Sequence, residues 1–294
     1  MMNLPFFIHV PKTAGSSVRT LIEVNYTSKE VLSLYGARSE IIENCALTDE
    51  DKQGLRLVQG HFPYGIHKNL KVETPKYYCF LREPVARTLS DIAHASRHPS
   101  HGFYHILSKP DLSIYERGKL AEKIIYYRNN MTHFLSGLFF SREVTEADFF
   151  KAREHLLSFE FVGITEHSEL SMLIMGRKLG WRYIIPQTCN VSPDLLPTVN
   201  QEVSELCQSF LQYDLLLYKI ALEEFNKVVK QYGTELLEAA EQLREVLSAQ
   251  EVGFPSIKFN TYMLGDGLDV SILEYMNNIP PNSPLSKWIK SGNK

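Results

Sequence analysis

The stretch Phe6-Phe7-Ile8-His9-Val10-Pro11-Lys12-Thr13-Ala14-Gly15-Ser16-Ser17-Val18 decides how this chain is read. Phe6–Val10 is a short apolar run suited to a buried strand. From Ser16 to about Val24 the apolar residues Val18, Leu21 and Ile22 fall at helical spacing. Between the two lies a turn of small residues holding one lysine. A strand, a tight turn and a helix start, in that order, aim backbone N–H groups and the positive end of a helix dipole at one spot. Lys12 adds a cation there, and phosphate is the usual guest of such a cradle. Lys12 precedes Gly15, however, and the chain contains no G-x-x-x-x-G-K-[ST]. The turn is therefore not an ordinary nucleoside-triphosphate loop.

Outward from this turn, strands and helices alternate. Leu57-Val58-Gln59 predicts a second strand, stopped by Gly60-His61-Phe62-Pro63-Tyr64-Gly65. Tyr77–Leu81 predicts a third and Phe159–Ile164 a fourth. Helices are predicted over Val85–Ala95, Lys119–Leu135, Asp148–Leu157 and Glu166–Leu179, the last ending at Gly180. Residues 200–232 read as one amphipathic helix or a kinked pair, with Leu206, Phe210, Leu217, Ala221 and Phe225 on one face and Gly233 at its end. Thr234–Gln250 reads as a further helix. Residues 29–55 read as short helices and loops, 97–118 as a loop-rich insertion, Ile184–Pro197 as a polar loop, and the tail after Gly253 as irregular. The alternation predicts an α/β layer fold with a mainly parallel central sheet flanked by helices.

In such sheets ligands sit at the carboxyl ends of strands. Three sharp motifs, at Lys12, His61 and Arg82, each follow a predicted strand directly, which predicts one common site. Arg82 opens Arg82-Glu83-Pro84-Val85-Ala86-Arg87-Thr88-Leu89-Ser90-Asp91. If the strand end and the second turn of the next helix lie together, Arg82 and Ser90 can converge on a second phosphate.

The composition sets limits. With 294 residues and 44% hydrophobic content the chain can bury a large core, and its net charge of −3 argues against a nucleic-acid binder. The cysteines Cys45, Cys79, Cys189 and Cys207 form no C-x-x-C pair and read as reduced, buried thiols. His94, His98, His101 and His105 are dense, but their spacing falls partly in a proline-containing loop, and no metal is expected. The first residues lack a basic signal-peptide region and no apolar run reaches the roughly 20 residues of a bilayer span, so a cytoplasmic enzyme without membrane insertion is expected.

The cradle and the Arg82…Ser90 pair together resemble the sulfotransferases that use 3′-phosphoadenosine 5′-phosphosulfate (PAPS). The likeness is closest to the heparan sulfate O-sulfotransferases and their soluble bacterial relatives. Gln59–Gly65, Arg128–Gly137 and Phe161–Glu166 are similar to the same branch, and Asn190-Val191-Ser192 more distantly. The resemblance covers roughly residues 5–230. It implies a P-loop-like three-layer α/β domain over 1–232, with 233–294 as a C-terminal helix and irregular tail packed on the same domain. It implies PAPS as cosubstrate and adenosine 3′,5′-bisphosphate (PAP) as product, with no metal. Lys12, Thr13, Ala14, Gly15, Ser16 and Ser17 would hold the 5′-phosphosulfate. Arg82 and Ser90 would hold the 3′-phosphate, with Asn190 and Ser192 in a loop closing over the nucleotide. His133 stands where relatives often carry arginine.

Sulfuryl transfer is an in-line displacement that builds charge on the leaving phosphate oxygen and releases an acceptor proton. Lys12 is the expected stabiliser of that oxygen, with backbone N–H groups of Ala14 to Ser17 on the 5′-phosphate. His61, titrating near neutrality, is the expected base. Glu166 is either a helix-terminal acid or a catalyst, and His9 either orients Lys12 or packs in the core. The acceptor is expected to be a small molecule bearing a hydroxyl. A sugar or glycolipid acceptor and N-sulfation are alternatives within the class. A nucleotide-dependent kinase and a non-catalytic nucleotide-binding module are alternatives outside it. Oligomeric state is not legible.

Overall fold

β1 (Pro5–Ile8) shows why the sheet is parallel and central: Phe6, Phe7 and Ile8 are all buried, with no alternation between wet and dry faces. A computed structural model describes residues 3–185, 200–253 and 279–292. In it β1 lies between β3 (Leu57–Gly60) and β4 (Lys76–Leu81), both parallel to it, with Ile8 opposite Gly60 on one side and Cys79 on the other. β2 (Val31–Leu34) extends the sheet beyond β3 and β5 (Phe161–Ile164) extends it beyond β4. The order is β2-β3-β1-β4-β5, all parallel. The fold is α/β with helices flanking this sheet. The four predicted strands are present, with ends shifted by one or two residues.

The order places a switch point. From β1 the chain runs through α1 (Gly15–Asn25) to β2, on one side of the sheet. From β4 it runs through α4 (Pro84–Ala95) towards β5, on the other side. Right-handed crossovers in opposite directions put α1 and α4 on opposite faces. The connections leaving neighbouring β1 and β4 thus part, and the crevice between their carboxyl ends is where ligands settle in such sheets.

Several expectations are corrected. Residues 29–55 hold a strand, β2, besides the short helices α2 (Arg38–Glu43) and α3 (Asp49–Gln53). Val31-Leu32-Ser33-Leu34 is too short and too polar in its flanks to announce itself; it is an edge strand fixed by pairing with β3. The helix expected over 119–135 is broken. α6 (Ile114–Glu122) starts earlier, inside the presumed insertion that also holds α5 (Tyr104–Leu107). Asn129, left-handed at φ 48°, separates α6 from α7 (Asn130–Ser136). That break has a use: the Asn129 side chain accepts from the N–H groups of Tyr213 and Asp214, and the buried Asp214 carboxylate accepts from Met131, Thr132 and the Thr132 hydroxyl.

α8 (Glu146–Ser158), α9 (Ser168–Leu179) and α10 (Gln201–Ser209) follow. α9 ends at a left-handed Gly180. The predicted amphipathic face of 200–232 is buried at all five positions, and the stretch is a pair, α10 and α11 (Gln212–Gly253). Gly233, at φ 64° and ψ −149°, kinks α11 and helix continues beyond it. The tail is not wholly irregular. α12 (Pro284–Ser291) packs Trp288 into the core, where its indole N–H donates to the Leu173 carbonyl at 3.1 Å. The Arg177 guanidinium lies 3.2 Å from the centre of one Trp288 ring. Cys45, Cys79 and Cys207 are free and buried; Cys189 lies outside the described residues.

Candidate anion site at the carboxyl edge of the sheet

The turn after β1 is held in an unusual backbone form. Lys12 and Ala14 are both left-handed, at φ 68° and 63°. Non-glycine residues seldom take that region, and such alternation turns successive N–H groups towards one concavity. The Thr13 hydroxyl braces the turn from inside by donating to the Val10 carbonyl at 2.8 Å. Ala14 is the N-cap of α1 and supplies no capping side chain, and no acid stands in the first turn. The N–H groups of Thr13 to Ser16 take no backbone or side-chain partner among the described residues. The Ser17 N–H donates to the Ala14 carbonyl at 3.0 Å, which leaves its hydroxyl as the group on offer at this position. Ser16 is exposed at the mouth of the cradle.

Two arginines set the orientation of this turn. Arg82, at the end of β4, donates to the Lys12 carbonyl at 3.3 Å. Arg87, one turn into α4 and fully buried, donates to the Pro11 carbonyl at 3.4 Å. In a trans peptide C=O and N–H point in opposite directions. Drawing the Pro11 and Lys12 carbonyls to the arginines therefore turns the N–H groups of Lys12 and Thr13 the opposite way. Arg87 also meets Asp91 Oδ2 at 3.3 Å and the Thr88 hydroxyl at 3.2 Å. Sequence reading missed Arg87 and Asp91. Their signal was present, an i, i+4 charge pair inside a helix whose neighbours Val85, Leu89 and Ile92 are apolar.

The spot is electropositive. Burial lowers the Lys12 pKa most; Asp91 opposes that, while Arg82, Arg97 and Arg87 push the same way as burial. The Arg82 pKa is also lowered, chiefly by burial. Neither Lys12 nor Arg82 has a carboxylate within ion-pair distance among the described residues. The Ser90 side chain sits partly exposed on α4 with no hydrogen-bond partner among the described residues, and no hydrogen bond joins it to Arg82. Asn190 and Ser192 lie outside the described residues.

Gly15 has a different use from the one its position suggested. A side chain there would meet the His9 ring at 1.9 Å, so its absence makes room for that ring beneath the helix start. His9 is buried and hydrogen-bonded through Nδ1 to the Tyr35 hydroxyl at 3.0 Å. His61 comes next to it, after Gly60, with ring centres 4.5 Å apart. Gly60 itself is at φ 153°, where a side chain would strike the Leu34 carbonyl at 2.0 Å.

His61 Nδ1 lies 2.7 Å from the His9 carbonyl. A carbonyl can only accept, so Nδ1 carries the proton and Nε2 keeps its lone pair. Burial lowers the His61 pKa most, with the His9 carbonyl and Asp91 acting against it. The result is a partly exposed neutral imidazole with a fixed tautomer, in ring contact with His9 and Tyr35.

Glu166 resolves as a structural acid. Its Oε1 accepts from the Glu83 N–H at the start of α4, and its Oε2 from the Tyr218 hydroxyl, each at 2.9 Å. His133 is fully buried with neither ring nitrogen partnered, and burial pushes its pKa down to about 4. Among the described residues no group of three or more His, Cys, Asp or Glu side chains could hold a metal ion, and no helix is long and apolar enough to cross a membrane. No model of a known protein family matches this chain, and no curated protein matches it.

Proposed function

We propose that this chain is a sulfotransferase that moves the sulfuryl group of PAPS to an acceptor hydroxyl. The observation that carries the reading is the cradle at the switch point: N–H groups of Thr13–Ser16 without a partner among the described residues, with Lys12 and Arg82 at the same turn and no carboxylate paired to either. Such a spot calls for a small, strongly charged anion. The lysine stands before the helix and not within its first turn, where it would meet the bridging oxygen of a phosphosulfate.

In this reading the Thr13–Ser16 N–H groups bind the 5′-phosphate, and Lys12 neutralises charge on the leaving oxygen. Arg82, with Ser90, holds the 3′-phosphate; Asn190 and Ser192 are further donors to the nucleotide. His61 Nε2 takes the acceptor proton, its orientation set by the Nδ1–H bond to His9. Lys12 and His61 are the catalytic pair. The donor side needs no metal, because protein cations do the neutralising. A cytoplasmic setting and a small-molecule acceptor belong to the same proposal, with a saccharide acceptor or N-sulfation as variants of it.

Titration calorimetry tests the donor. PAP is expected to bind without magnesium, and more tightly than ATP with magnesium. Magnesium-dependent ATP turnover with no PAP binding would instead establish a kinase. Labelled PAPS, incubated with an acceptor panel and read by mass spectrometry, separates turnover from binding alone.

A further inference from the structure

A row of aromatic side chains lies beside the cradle. It starts at the carboxyl end of α4. His94 and His101 both feel the charge of Lys12, and His101 Nε2 is 3.8 Å from Asp91 Oδ1. His101 faces Tyr126 with ring centres 6.5 Å apart, and Tyr126 faces Phe140 at 5.1 Å. Phe140 adjoins Phe139, and the Arg38 guanidinium lies 5.9 Å from the centre of the Phe139 ring. Arg38 opens α2, three residues after Tyr35, and Tyr35 packs edge-on against His61 at 4.9 Å. Asp91, whose charge reaches Lys12, His61 and Tyr126 alike, ties these rings to the cradle.

Two features mark this row as more than packing. Phe139 and Phe140 are both left-handed, at φ 49° and 57°. Consecutive bulky residues avoid that region unless something fixes them there, and such outliers gather at binding sites. Both rings also stay partly exposed instead of sinking into the core. Asp91 is the carboxylate at the row's start, and Arg87 is paired with it.

We infer that the acceptor is an aryl hydroxyl, a flat ring carrying an O–H, held against Tyr126, Phe140 and Phe139 with its oxygen turned to His61. This rests on the sulfuryl-transfer reading. In the step, the aryl oxygen bonds to sulfur and its proton goes to His61 Nε2. The bond from sulfur to the bridging oxygen breaks, and its electron pair leaves on the 5′-phosphate of PAP. The chemistry of the base agrees. A histidine whose basicity burial has lowered suits a hydroxyl that is already acidic, and a phenol loses its proton near pKa 10, far below an alcohol.

The test is an acceptor panel of matched size with PAPS: 2-naphthol, cyclohexylmethanol and a disaccharide, on the full chain. The naphthol is expected to exceed both others in kcat/KM by at least about tenfold, the scale of one well-placed ring contact. Phe140→Leu and Phe139→Leu keep apolar bulk and remove a ring. Each is expected to raise KM for the naphthol several-fold while leaving PAP affinity unchanged, which also shows that the variant is folded. Equal or better turnover of the disaccharide or the aliphatic alcohol overturns the acceptor while leaving the donor reading standing. So does an unchanged naphthol KM in both variants. Failure to bind PAP overturns the donor reading, and this inference with it.

Discussion

The two edges of the sheet both carry cations and treat them oppositely. At the amino edge a cleft of about 310 Å³ is lined in part by Arg56, Lys76 and Lys178. Each of these has a carboxylate: Arg56 meets Glu30 at 3.1 Å, Lys178 meets Glu160 at 3.0 Å, and Lys76 meets Glu160 at 3.8 Å. At the carboxyl edge Arg82 donates to the Lys12 carbonyl, and among the described residues neither Arg82 nor Lys12 has a carboxylate at ion-pair distance. A cation with its own carboxylate has little left to offer a ligand. A cation desolvated beside other cations is held there at a cost that an incoming anion relieves. The difference marks the carboxyl edge as the candidate anion site, which a count of positive residues would not, since the amino edge has Arg56, Lys76 and Lys178.

The largest expected effect comes from removing the support behind the cradle. Arg87→Ala leaves Asp91 buried without its cation, and is expected to cost about 3–5 kcal/mol of stability by urea unfolding. A loss below about 1 kcal/mol would mean that the pair is not what holds the turn. Next comes Lys12→Ala. Turnover of PAPS is expected to fall about 10²–10³-fold, as when one oxyanion donor is removed elsewhere, with the melting temperature little changed. Arg82→Ala should weaken PAP by about 1.5–3 kcal/mol, the range of a hydrogen bond to a charged group. Unaltered PAP affinity would remove Arg82 from the site.

Acid should act through the imidazoles. His61, His9 and His94 all have folded pKa values below the ordinary histidine value, mainly through burial. The unfolded chain therefore takes up protons first. Their contribution to stability is full above about pH 6.5 and declines as pH falls from there towards the lowered folded values. Turnover should hold through neutrality and decline on the same acid side. A decline beginning well above pH 7 would point to a different base. The smallest effect is expected at the amino edge. Arg56→Ala removes an exposed ion pair worth at most about 1 kcal/mol, and should leave PAP binding untouched.

How much of this was legible differs between the cradle and its surroundings. The strand, turn and helix around Lys12 could be read directly, because their signals are local: an apolar run, small residues and a helical repeat. Placing His61 and Arg82 at the same edge needed only the rule that parallel strands present their carboxyl ends together. β2 was not legible, since an edge strand of four residues has no pattern of its own and exists through its register with β3. The break at Asn129 was missed because its reason, the N–H groups of Tyr213 and Asp214, lies more than 80 residues away. Glu166 could be read only as a choice between two roles; the Glu83 N–H and the Tyr218 hydroxyl decided it.

By itself the sequence determined a strand, a turn of small residues and a helix start in that order, with a lysine within the turn. The tertiary structure alone decided which groups face it. Arg87 behind Pro11, Arg82 on the Lys12 carbonyl and the His9 carbonyl on His61 join segments far apart in the chain. The physical reason is that turn conformation is a short-range property of a few residues. Which side chains a parallel sheet gathers at its edge depends instead on strand order, and strand order is settled by burial of the whole core.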